Sequence, residues 1–142
     1  MERLRDIAGI IDVLGRGSPR ARRAAANTLI RLPDRRSVEL LAEALSSDDP
    51  LLRRNAAIAL GEVLGHRSGD EATIEAALIE ALGDSDSSVR TMAVASLGRS
   101  RPSNALLPLI SLLDDPQRSV RSLATVVLRR YEDPRASEAL SR

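Results

Sequence analysis

Four stretches of this chain can be laid over one another by a single dipeptide, and that internal repetition constrains the fold more than any other feature. The dipeptides are Ala21-Arg22, Leu52-Arg53, Val89-Arg90 and Val120-Arg121, so successive arginines stand 31, 37 and 31 residues apart. Three residues after each arginine comes an alanine (Ala25, Ala56, Ala93, Ala124), and seven after comes a leucine (Leu29, Leu60, Leu97, Leu128). Eight before it stand Leu14, Leu45, Leu82 and Leu113. Eleven before it stand Ile11, Ala42, Ile79 and Ile110, and twelve before it Ile10, Leu41, Leu78 and Leu109. Self-similarity at a period of roughly thirty residues is the mark of stacked supersecondary units. The longer middle interval falls on the polar stretch Gly65–Glu71, where it reads as a loop insertion carrying His66.

The columns have helical spacing. The three ahead of the arginine form the i, i+1, i+4 stripe of one amphipathic helix, and the dipeptide, alanine and leucine form the stripe of a second. Turn-forming residues separate them: Gly15–Pro19, Ser46–Pro50, Gly83–Ser87 and Asp114–Gln117. Ser18, Asp49 and Asp86 stand where a helix cap belongs, and Pro19 and Pro50 follow at the first helical position. The pattern predicts helices at about 3–14, 19–32, 37–46, 50–64, 71–83, 87–99, 104–114 and 118–131, with the start of a further first helix after Pro134. A lone hairpin cannot bury such a stripe; stacking on the next hairpin buries it in a core of Leu, Ile, Val and Ala.

Composition narrows the chemistry. The chain has 142 residues, with 21 basic and 20 acidic side chains, and all the basic ones are arginine. A net charge of +1 argues against a bulk nucleic-acid binder. Without cysteine there are no disulfides, thiolate metal sites or cysteine nucleophiles, and a single histidine excludes a multi-histidine centre. Tyr131 is the lone aromatic, too little for base stacking. No signal peptide or spanning segment is evident, so a cytoplasmic protein without membrane attachment is expected.

The block Asp84-Ser85-Asp86-Ser87-Ser88-Val89-Arg90-Thr91-Met92-Ala93-Val94-Ala95-Ser96-Leu97-Gly98 closely resembles HEAT repeats of the short, phycobilisome-lyase-like subclass. Asp48–Gly61 matches about as well. The fourth copy departs at Arg129 and the first at Ile30, where that family usually has glycine. The resemblance covers nearly the whole chain. It implies an all-α, right-handed α-solenoid of four HEAT-like helix hairpins in one domain, residues 1–142. The repeats fall at approximately 3–34, 35–65, 71–101 and 102–133, with 134–142 a short cap or a truncated next helix. It is specific for fold and not for function.

The in-register arginines read first as structure. Arg22, Arg53, Arg90 and Arg121 flank the core beside the turns, which suits a ladder of ion pairs with turn acids such as Asp49, Asp84, Asp86 and Asp115. The residues opposite the core are the better binding candidates: Arg23 and Asn27, Arg54 and Ile58, Thr91 and Ala95, Ser122 and Val126. In arrays that this one resembles, second helices line the concave side. That face would pass from arginine-rich to small and apolar, suiting a partner helix or an extended acidic peptide. Met92 and Leu123, next to it, read as packed slightly more than as exposed.

Enzymatic constellations are weak. The pairs Asp48-Asp49 and Asp114-Asp115 fit helix caps better than a general acid and base. Ser68, Asp70 and His66 are too close in sequence for triad geometry, and Gly15-Arg16-Gly17 lacks the lysine and preceding strand of a phosphate loop. The expected function is therefore a non-catalytic scaffold or adaptor, without cofactor, binding a protein or peptide along the second-helix face. The alternative, suggested by the repeat subclass, is a bilin lyase or isomerase subunit holding a tetrapyrrole; the shortage of aromatics counts against it. DNA binding of the kind seen in HEAT-like alkylpurine glycosylases is disfavoured by the absence of tryptophan and the low net charge.

Overall fold

Helix starts are set by the residues that the turns supply. The Ser18 hydroxyl accepts from the Ala21 N–H at 3.2 Å, Asp49 from the Leu51 N–H at 3.0 Å, and Asp86 from the Ser88 N–H at 2.8 Å. Each satisfies a donor that the first turn of a helix leaves without a backbone partner. Only the fourth copy differs: Gln117 stands at the cap position without a side-chain bond.

The structure, a computed structural model, describes residues 2–31, 35–66 and 71–142. Within them run α1 (Glu2–Arg16), α2 (Pro19–Arg31), α3 (Arg35–Ala44), α4 (Pro50–His66), α5 (Glu71–Ala81), α6 (Ser87–Ser100), α7 (Leu106–Ser111), α8 (Arg118–Leu128) and α9 (Pro134–Leu140). Among the described residues there is no strand, and the architecture is an all-α solenoid. The helices pair as α1–α2, α3–α4, α5–α6 and α7–α8, and each pair packs on its neighbours in sequence. α9 lies against α7 and α8, as the first helix of a further hairpin would.

Three details depart from the expectation. α4 continues through Gly65 and His66, so the longer second copy is partly extra helix; residues 67–70, the rest of the expected insertion, lie outside the described residues. The helix expected at 104–114 is three pieces, with 3-10 turns at Ser103–Ala105 and Leu112–Asp114 around α7. Pro108, which has no N–H to give, falls in the first turn of α7, where none is needed. α8 stops at Leu128, three residues short of the expected end.

The aliphatic columns form the core. Leu29, Leu60, Leu97 and Leu128 are all fully buried, as are Leu41, Leu78 and Leu109, and Ala56, Ala93 and Ala124 are equally enclosed. Each buried leucine contributes about 1.5–3 kcal/mol of hydrophobic free energy. The other first-helix columns are shared with the surface, since Ile11, Ile79, Ile110, Leu45 and Leu113 are only partly buried against that core.

Neighbouring second helices come closer than neighbouring first helices, and α4 with α6 closest of all. Glycine makes that approach. A Cβ on Gly61 would lie 2.6 Å from Ser96 Cβ and 3.3 Å from its Cα, and one on Gly98 would lie 2.9 Å from Val127 Cγ2. The Ser96 hydroxyl, buried in this contact, donates to the Ala57 carbonyl at 3.2 Å.

Candidate functional site

Eight residues after the arginine, α4 has Gly61 and α6 has Gly98, but α2 has Ile30. α2 lies less closely along α4 than α4 lies along α6. A cleft of about 420 Å³ lies between α2 and α4. Arg22, Arg23, Ala26 and Asn27 line it from α2, and Arg54, Ile58 and Glu62 from α4. The buried Asn55 amide, also on its wall, donates to the Leu14 carbonyl at 2.8 Å and ties α4 to the end of α1.

Charge in the cleft is one-sided. Glu62, its one lining acid, is held by Arg99 at 3.3 Å. Among the described residues Arg22, Arg23 and Arg54 form neither a hydrogen bond nor an ion pair through their side chains. Three guanidinium groups beside an aliphatic floor of Ala26 and Ile58 attract an anionic group attached to an apolar one. No aromatic ring is among the lining residues.

Four of the sequence-predicted site residues, Arg23, Asn27, Arg54 and Ile58, therefore meet in one cleft. Thr91 borders a second, shallower hollow with Arg54 and Met92, and its hydroxyl donates to the Ser87 carbonyl. Ala95, Ser122 and Val126 are exposed on α6 and α8 and line neither hollow. Val126 stands out as an exposed large hydrophobic, whereas Ile58, Met92 and Leu123 are partly buried. Met92 and Leu123 pack against the core.

The other arginines of the repeat are used internally. Arg53 grips Asp84 of the next copy through Nε and Nη2 at 2.9 and 3.2 Å, and Arg90 grips Asp115 in the same two-pronged way at 2.8 and 3.0 Å. In both, Nη1 donates to a carbonyl of the arginine's own turn. Arg121 keeps that backbone bond, to the Asp115 carbonyl, without a carboxylate partner among the described residues. Asp49 and Asp86 do not pair with these arginines; they cap helices. Burial pushes the Asp115 carboxyl up, but the Arg90 fork and the Gln117 N–H outweigh it and hold the pKa below the usual range. Asp86 is lowered by the hydroxyl and N–H of Ser88. The residue that sequence reasoning missed is Arg22, assigned to the ladder but left open at the cleft.

A family description of HEAT repeats matches residues 7–77 and 75–142. No curated protein matches the chain. Among solved structures, an engineered protein crystallised in a structural-genomics programme is similar, with a TM-score of 0.57 at 20% identity, over 96% of this chain and 67% of that one. That likeness concerns the fold alone. Among the described residues no helix is long and apolar enough to cross a membrane. With matches spanning nearly all of its length, the chain belongs to the HEAT repeat family.

Proposed function

We propose that this chain is a non-catalytic adaptor that binds a peptide segment of a protein partner in the cleft between α2 and α4, and that acidic residues of the segment meet the arginines. The observation that carries this reading is the convergence of Arg22, Arg23 and Arg54, none bonded to another described side chain, on a cleft with an aliphatic floor. HEAT repeats commonly mediate protein–protein contact, which supports the class of partner. The copies are read as the short, phycobilisome-lyase-like kind from their turn sequence; the likeness concerns the repeat and not a pigment. A lining without aromatic rings favours a peptide over a tetrapyrrole.

The test is a selection of short random peptides on the immobilised protein, with the Arg23→Glu/Arg54→Glu variant as counter-target. Peptides combining Asp or Glu with aliphatic residues should be enriched. They should bind the double variant about tenfold or more weakly, as expected for lost charge-assisted hydrogen bonds. Arg23 is exposed and Arg54 partly so, and the circular-dichroism spectrum and melting temperature should barely change. Equal enrichment on both targets would remove the reading.

A further inference from the structure

The turns ahead of α4, α6 and α8 use the residue six before the arginine in the same way. Ser47 Oγ accepts from the Asp49 N–H at 3.1 Å, Asp84 Oδ1 from the Asp86 N–H at 2.8 Å, and Asp115 Oδ1 from the Gln117 N–H at 2.9 Å. Their three backbone carbonyls accept Nη1 of Arg53, Arg90 and Arg121 at 2.9, 2.8 and 2.6 Å. Position 47 is therefore the counterpart of 84 and 115. The two aspartates do one thing more: each reaches the arginine of the preceding copy with both carboxylate oxygens. Serine is shorter and uncharged, and Arg22, the arginine it would serve, is left without an acid among the described residues.

We infer that Arg22 is an open rung of this ladder and that a peptide in the cleft closes it with an Asp or Glu side chain. The partner supplies in trans the group that Asp84 and Asp115 supply within the chain. The inference rests on the peptide-binding reading above and adds which arginine reads the acid and by what geometry. Arg22 is suited to this: it is half-buried, so its charge is only partly satisfied by water, and it borders the cleft. The two closed rungs show the occupant's chemistry, a planar carboxylate held by Nε and Nη2.

The rung can be filled from within. Ser47→Asp gives this copy the residue that the next two already carry, and aspartate holds the same turn in both. With an acidic peptide from the selection as probe, Ser47→Asp should weaken binding about ten- to a hundredfold, the span of a charge-assisted contact. Arg22→Ala should do the same, and the two together should be no weaker than either alone. Ser47→Asp should also raise the melting temperature, and the gain should vanish in the Arg22→Ala background. Ser46→Asp places the same charge one residue earlier on an exposed side chain, and it should cost no more than about threefold. The open rung is wrong if Ser47→Asp binds like the unaltered protein, loses no more than Ser46→Asp, or shows no coupling to Arg22. If that happens while Arg23→Glu/Arg54→Glu still abolishes binding, the cleft reading stands and the rung alone falls. If no acidic peptide is selected at all, both fall.

Discussion

Asp115→Ala is expected to cost about 3–5 kcal/mol of stability and to lower the melting temperature by roughly 10–20 °C. The carboxylate's side chain is 3% exposed and its arginine's 12%. Removing the acid leaves the Arg90 guanidinium largely out of water, with only the carbonyls of Asp84 and Ser85 to accept from it. The Gln117 N–H at the start of α8 loses its acceptor in the same step. Asp114→Ala, next to it but exposed, should stay within about 0.5 kcal/mol. The pH dependence follows from the lowered pKa of Asp115. The unfolded chain binds this proton more tightly than the folded one, so stability rises with pH across the interval between the two pKa values. The contribution is complete above the unfolded value of about 3.9 and is lost as pH falls through the folded value beneath it. Melting temperatures of the protein and of Asp115→Asn should therefore differ by a constant amount from neutrality to about pH 5, and should converge in stronger acid. A gap that does not narrow would mean that the pair contributes through packing and not through charge.

Much of this arrangement is legible from the order of residues alone. The leucine and alanine columns name the buried side chains because one hairpin repeats, and helical periodicity then fixes which face turns inward. The arginine column likewise announces its internal role, and Arg53 and Arg90 carry it out. What escapes is the exception. Ser47, Asp84 and Asp115 occupy one column, six before the arginine, and the serine among two acids is the sign that Arg22 is open. That column means little until the direction of the fork is known: Arg53 reaches the turn of the following copy, not its own acids. The cleft is harder still to foresee. It depends on the spacing between second helices, which varies from pair to pair, and periodicity assigns a face without assigning a distance. Hence Arg23, Asn27, Arg54 and Ile58 are brought together, while Ala95, Ser122 and Val126, at equivalent helical positions, stand apart on surfaces where the helices close up.

The glycine responsible for closing up gives the sharpest test of that spacing. In an exposed helix interior, glycine to alanine stabilises by about 1 kcal/mol, because alanine loses less conformational freedom on folding. Gly9, exposed on α1 with nothing within 4 Å of a prospective Cβ, should obey this rule, and Gly9→Ala should raise the melting temperature by a few degrees. Gly61→Ala should reverse the sign. The added methyl would sit 2.6 Å from Ser96 Cβ, an atom that cannot swing away without its backbone. α4 and α6 must separate, at an overpacking cost of about 1–3 kcal/mol. The Ser96 bond to the Ala57 carbonyl is strained or broken as well, worth about 0.5–1.5 kcal/mol. Together these exceed the gain in helix propensity, and a net loss of about 2–3 kcal/mol is expected. Adding Ser96→Gly removes the atoms in collision and should recover a substantial part of the loss despite placing glycine in α6. Double-mutant analysis by thermal melting separates the cases: additive effects would show that the two helices do not touch at this point. Positive coupling would establish the close approach of α4 to α6.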